Sequence, residues 1–153
     1  MSTARRLTKP FAPPIVVFDT RLLLGALVSG DARSQRLRQS WQLGGCQALV
    51  DPASARALML ALACPVLGLS ATQQHELLAD YLPYAQVLSA EAPAAARTAR
   101  LPAFEQLALS LAQGARGRVL VSDGRALRAL FARSTKPGFK LLGSEEFLAT
   151  LRV

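Results

Sequence analysis

The stretch Ile15–Gly30 reads IVVFDTRLLLGALVSG. Its first four residues are a continuous apolar run with β-branched side chains, the pattern of a strand buried on both faces in a parallel sheet. The run stops at Asp19-Thr20, after which Leu22, Leu23, Leu24, Ala26 and Leu27 predict an apolar helix closed by Ser29-Gly30-Asp31. The same order returns in RVLVSDGRAL (Arg118–Leu127): a buried strand over Arg118–Ser122, then Asp123-Gly124, then a helix over Arg125–Phe131. In open parallel α/β sheets, sites form beyond the carboxyl ends of strands, where loops from neighbouring strands converge. Asp19 and Asp123 hold such positions, and Glu105 lies in the first turn of the helix before the second strand.

Working outward, Ala32–Leu43 carries Leu37 and Trp41 at helical spacing and presents a basic face with Arg33, Arg36 and Arg38. Gly44-Gly45 ends that helix, and Cys46–Val50 reads as a strand. Asp51-Pro52 has the chemistry of an N-cap and first helical residue for a helix to about Ala63, which Cys64-Pro65 stops. Ser70-Ala71-Thr72 opens a helix through Leu77, Leu78 and Tyr81, ended near Pro83, with a short strand around Gln86–Ser89. Residues 90–100 are rich in Ala and Pro and read as irregular. Pro102 leads into a helix over Phe104–Gln113, and Lys140–Leu142 is a last strand. The terminal helix can be capped by Ser144, with Glu145-Glu146 complementing its positive end. Strands and helices alternate throughout, which makes the class α/β with a mostly parallel, right-handed sheet.

The chain has 153 residues, the size of one domain. Residues 1–13 are basic and Pro-rich and read as an arm; 14–153 form the domain. At 51% apolar and 18% charged residues the chain is too hydrophobic for disorder. Its richest stretch, Ala57–Leu69, is broken by Pro65 and Gly68 and is too short for a bilayer, so it is expected to be a core helix. A secretory signal is not expected, because Pro10, Pro13, Pro14, Asp19 and Arg21 interrupt any apolar run after Arg5-Arg6. Cys46 and Cys64 have neither the number nor the spacing of a disulfide framework or zinc site, which points to a reduced, cytoplasmic setting. His75, the single histidine, stands beside Glu76 in a polar stretch and reads as a solvated helix residue. The net charge of +8 favours a polyanionic partner. The even spread of Arg through an Ala- and Leu-rich chain is an equal, purely compositional explanation.

If the two strands are neighbours, Asp19, Glu105 and Asp123 converge on one divalent cation. Oxygen donors of this kind suit Mg2+ or Mn2+ acting on a phosphate. The alternative is structural: Asp19 and Asp123 cap the helices that follow them, and Glu105 complements a helix dipole.

IVVFDTRLLLGALVSG, CQALV with the apolar helix ending at Cys64-Pro65, LPAFEQLALSLAQGA, RVLVSDGRAL and FKLLGSEEFLATL occur in the order and spacing of one known family. Over about residues 14–151 the chain resembles PIN-domain proteins, in particular the VapC-like toxin components of bacterial toxin–antitoxin pairs. The resemblance implies a single-domain, three-layer α/β/α fold with a central, mostly parallel sheet. It also implies an acidic pocket in which Mg2+ or Mn2+ activates water to cleave single-stranded RNA. By position, Asp19, Glu105 and Asp123 would be catalytic metal ligands, with Thr20 and Ser122 supporting them. In that reading Arg21, Arg33, Arg36 and Arg125 are this chain's candidate contacts to RNA phosphates. Further implied partners are a cognate antitoxin protein and a second copy of the chain.

The chain also departs from that pattern. Arg21 stands where the family has Asn after Asp-Thr, Ala57 stands where it has Glu, and Asp123-Gly124 reverses the expected Gly-Asp order. A missing acid and an added guanidinium both weaken the hold on a cation. Arg21 has four readings: turned away from the pocket, paired with Glu105, on an RNA phosphate, or, the one expected here, replacing part of the metal's charge in a degenerate pocket. Two functions follow: a metal-dependent endoribonuclease toxin, or a PIN-like RNA- or protein-binding module without catalysis.

Overall fold

The structure, a computed structural model, describes residues 13–88, 101–114, 119–133 and 139–151. The expectations for the N-terminal arm up to residue 12, for residues 90–100 and for Arg118 fall outside them. The described elements are β1 (Ile15–Phe18), α1 (Thr20–Val28), α2 (Ala32–Gln42), β2 (Gln47–Val50), α3 (Pro52–Leu62), α4 (Ala71–Ala79), β3 (Gln86–Val87), α5 (Ala103–Gly114), β4 (Val119–Val121), α6 (Arg125–Arg133), β5 (Lys140–Leu142) and α7 (Ser144–Thr150). All strand pairs are parallel, in the order β3-β2-β1-β4-β5. The expected neighbours β1 and β4 do pair, with Val17 beside Leu120 and Phe18 beside Val121.

Alternation along the central strands divides the core in two. Val16, Phe18, Ala48, Val50 and Val121 pack with Leu23, Leu27, Leu37, Trp41, Leu58 and Phe147 on one face of the sheet. Val17, Leu49 and Leu120 pack with Ala108, Leu109, Leu111, Ala112 and Leu127 from α5 and α6 on the other. Both faces are thus covered by helices, the three-layer α/β/α arrangement. Phe18 meets Trp41 and Phe147 edge-on, each at a centroid distance of 5.5 Å, and Trp41 meets Tyr81 at 4.9 Å. Such pairs each add about 1 kcal/mol beyond the area they bury.

In the first half of the chain, local capping sets the helix starts. Asp31 accepts the Ser34 N–H at 2.7 Å, Asp51 the Ser54 N–H at 2.9 Å, and Ser70 the Gln73 N–H at 3.1 Å. After α2, Gly44 takes φ +81°, a left-handed conformation that glycine adopts without steric cost.

Three expectations need correction. Ala57–Leu69 is not a core helix: α3 ends at Leu62 and a 3-10 turn follows at Pro65–Leu67. Only Leu58 and Leu62 of α3 are buried, while Leu60 and Val66 are 69% and 90% exposed. An apolar composition does not choose a face, and here the helix lies at the surface. The short strand expected around Gln86–Ser89 is present but is limited, among the described residues, to the exposed pair Gln86–Val87 at the sheet edge, and Ser89 lies outside those residues. Ser144 is not the cap of the last helix but its first residue, preceded by Gly143. Among the described residues no helix is long and apolar enough to cross a membrane.

Candidate functional site

Parallel pairing carries β1 and β4 to the same edge of the sheet, so the residues after them meet. The Asp19 N–H donates to the Val121 carbonyl at 3.1 Å, and the Ser122 hydroxyl donates to Asp19 Oδ2. Asp19 Oδ1 accepts the Leu22 N–H at 2.9 Å as the N-cap of α1. The carboxylate is only 3% exposed and Ser122 is fully buried. Ser122 also accepts the Gly124 N–H at 3.0 Å, so one hydroxyl ties the first acid to the loop after β4.

Glu105, in the first turn of α5, is 8% exposed and accepts the N–H of Leu127, the third residue of α6, at 3.0 Å. The residue before α6 is Gly124, which has no side chain with which to cap it. A Cβ built on Gly124 would overlap Glu105 Oε1, so the Glu105 carboxylate fills the space that a capping side chain would take.

Asp123 repeats the arrangement one helix later. Its Oδ1 accepts the Ser144 N–H at 2.8 Å and its Oδ2 accepts the Ser144 hydroxyl at 2.7 Å. Gly143 precedes α7 and likewise offers no capping side chain. The structural alternative drawn from the sequence is therefore half corrected. Asp19 caps the helix that follows it, but Asp123 caps α7, and the helix after Asp123 is capped by Glu105.

These groups open onto one pocket of about 630 Å3, lined by four carboxylates (Asp19, Asp31, Glu105, Asp123) and three guanidiniums (Arg21, Arg33, Arg125). Asp31, absent from the expected site, caps α2. The Ser34 N–H and then the Ser29 hydroxyl hold its carboxyl below the ordinary value. Arg33 Nη1 lies 3.9 Å from Asp123 Oδ2 and donates to Ser144 Oγ at 3.3 Å. Arg21, expected to substitute for the metal's charge, lines the pocket but makes no such ion pair among the described residues. Arg33 makes it instead. Thr20 is buried as the first residue of α1 and does not line the pocket, nor does Arg36. Arg38 is committed to the carbonyls that end α1, those of Ala26 and of Ser29, the latter at 2.9 Å. Ala57 lies in α3, away from the pocket lining.

Mg2+ or Mn2+ held as the resemblance implies would need Asp19, Glu105 and Asp123 as ligands, and in this arrangement they do not fit one. Among the described residues no three acidic, His or Cys side chains are grouped closely enough to hold an ion. Both Asp19 oxygens, both Asp123 oxygens and Glu105 Oε1 already accept hydrogen bonds from helix N–H groups or serine hydroxyls. Each of these hydrogen bonds takes one lone pair and fixes where its carboxylate points, and the Arg33 guanidinium opposes a further cation at Asp123.

Sequence reasoning missed Asp31 as a pocket residue and the pairing of two glycines with two distant acids. The available signal was a helix start without a capping residue at Gly124 and again at Gly143, each of which requires a partner from elsewhere.

No family model matches the chain, and no curated protein matches its sequence. Among solved structures it is similar to a chain in the crystal structure of VapBC2 from Rickettsia felis bound to a DNA fragment from their promoter. The TM-score is 0.57 and the identity 11%, over 84% of this chain and 98% of that one. At this identity the likeness establishes the α/β fold, with its all-parallel sheet flanked by helices.

Proposed function

We propose that the chain is a PIN-like member of a toxin–antitoxin pair that binds RNA at the pocket beyond β1 and β4 without cleaving it by a metal-dependent route. The observation that carries this reading is the commitment of Asp19, Glu105 and Asp123 to three helix N-termini, with Arg33 paired to Asp123. Arg21 and Arg125 are exposed on the pocket lining, and the +8 charge suits a phosphate backbone. The fold likeness to a structure of VapBC2 supports a protein antitoxin as partner, and the basic chain favours an acidic one. In the same reading the protein works in the cytoplasm and pairs with a second copy of itself.

The test is fluorescence anisotropy with a labelled single-stranded RNA, in EDTA and in Mn2+, followed by a denaturing gel. The expected result is binding in EDTA that weakens steeply with salt, RNA that stays intact in Mn2+, and affinity about tenfold lower in Arg21→Gln/Arg125→Gln. The absence of binding would overturn the reading.

A second reading, the Mg2+- or Mn2+-dependent endoribonuclease toxin, is favoured by one specific observation: three oxygen-donor carboxylates share a single pocket at the carboxyl ends of adjacent strands. Cleavage that requires Mn2+ and disappears in Asp123→Asn would decide for it.

A further inference from the structure

Of the described phenylalanines, Phe18 and Phe147 pack in the core, and Phe131 and Phe139 pair with each other at a centroid distance of 5.6 Å. Phe104 does neither. It is the second residue of α5, half-buried, and it lines the pocket beyond β1 and β4. Among the described residues it joins neither hydrophobic cluster and makes no ring pair. Core packing therefore does not explain an aromatic ring at this position, whereas a ligand in the pocket does.

Phe104 and Arg125 reach the pocket side by side. They are the chain neighbours of Glu105 and Gly124, and a Cβ built on Gly124 would overlap the Glu105 carboxylate, so the starts of α5 and α6 touch here. Arg21 enters from the first turn of α1. Neither arginine has an ion-pair or hydrogen-bond partner among the described residues. Both stand in first turns, where the positive end of the helix dipole disfavours a cation, so helix stability does not account for them. The wall from α1 is made of small residues: Gly25 and Ala26 line it, and a Cβ built on Gly25 would meet nothing within 4 Å.

These groups are graded by depth. Arg21 and Arg125 are exposed, Phe104 is half-buried, and Glu105 is 8% exposed with only Oε1 hydrogen-bonded among the described residues. A nucleotide carries the matching groups in one unit: a phosphate for the guanidiniums, a flat ring for the phenyl face, and base N–H donors for a carboxylate oxygen. Only an unpaired base can be splayed out onto such a ring.

We propose that Phe104 is the pocket's stacking platform: one unpaired base of the bound RNA lies on its ring while the adjoining phosphate pairs with Arg21 and Arg125. This rests on the RNA-binding reading above, and it assigns that reading a residue that holds the base.

The experiment is fluorescence anisotropy of the full chain in EDTA with a labelled oligouridine and with an abasic strand of equal length and charge. Circular dichroism confirms folding of each variant. Wild type should bind the oligouridine about tenfold more tightly than the abasic strand. Phe104→Leu keeps an apolar side chain without the aromatic face. It should lose about tenfold on the oligouridine, lose nothing on the abasic strand and keep the same salt dependence, whereas Phe104→Tyr should match wild type. Should Phe104→Leu fail to fold, Phe104→Trp reads the contact directly: its added fluorescence should be quenched by the oligouridine and not by the abasic strand. Equal wild-type affinities for the two strands would overturn the proposal. So would unchanged oligouridine binding in Phe104→Leu, a loss that appears equally on the abasic strand, or an unquenched Phe104→Trp. No RNA binding by wild type would overturn the reading beneath it as well, so the two failures are distinguishable.

Discussion

The two halves of the chain start their helices by different means. In the half from β1 to α4, each helix carries its own cap: Asp19, Asp31, Asp51 and Ser70 each accept an N–H two or three residues into the helix that follows. In the half from α5 to α7, Gly124 and Gly143 stand before α6 and α7, and the caps come from Glu105 and Asp123 across the pocket. The difference teaches that acids gathered at the carboxyl edge of a parallel sheet can hold the ends of helices together as readily as they can hold an ion. A borrowed cap always ties two elements to each other, which among the local caps Asp19 does through its second bond, to Ser122.

The largest effect is expected where a local cap also reaches across the sheet. Asp19→Ala leaves the part-buried Leu22 N–H and the buried Ser122 hydroxyl without their partner and should cost about 3 kcal/mol in urea unfolding. Glu105→Ala removes a borrowed cap and should cost about 2 kcal/mol. This case sharpens the comparison, because Gly124 has no positive φ and the three atoms nearest to a Cβ built there all belong to the Glu105 carboxylate. Glu105→Ala/Gly124→Asp should therefore recover about half of the loss by capping α6 locally; no recovery would mean that Glu105 does more than cap. Ser70→Ala, at an exposed and purely local cap, should cost about 1 kcal/mol.

The smallest effect is on pH dependence. Asp31, held by the Ser34 N–H and the Ser29 hydroxyl, and Glu146, held by the Gly143 N–H and Arg128, both have carboxyls below their ordinary values of 3.8 and 4.5. A depressed folded-state value means stability that is present above the ordinary value and is lost as pH falls through the folded one. Thermal melting should be flat from neutrality to near pH 5 and fall below about pH 4, less steeply in Asp31→Asn.

Much of this was legible in the sequence, for identifiable reasons. β1 and β4 announce themselves because strands covered on both faces must be apolar throughout, as Val16, Val17, Leu120 and Val121 are. Asp51 and Ser70 are legible because a local cap and its helix are adjacent in the chain. The borrowed caps are not, because Glu105 and Leu127 are 22 residues apart and glycine gives no sign of which acid will serve it. For the same reason the sequence offers Arg21 as the pocket's extra charge, one residue from Thr20, whereas the arginine that reaches Asp123 is Arg33 from the next helix. The basic face expected on α2 is divided in the structure: Arg33 turns to the acid, Arg38 to the end of α1, and Arg36 stays exposed. Surface or core placement of α3 was equally hidden, since Leu60 looks no different in sequence from Leu58 and Leu62.

The central claim is that the pocket carboxylates serve as caps and not as metal ligands. A ligand that binds the folded state raises its melting temperature, so melting the wild-type protein in excess Mn2+ and in EDTA at matched ionic strength tests the claim most directly. The account predicts melting temperatures that agree within about 1 °C. A rise of several degrees in Mn2+ that is lost in Asp19→Asn would contradict it.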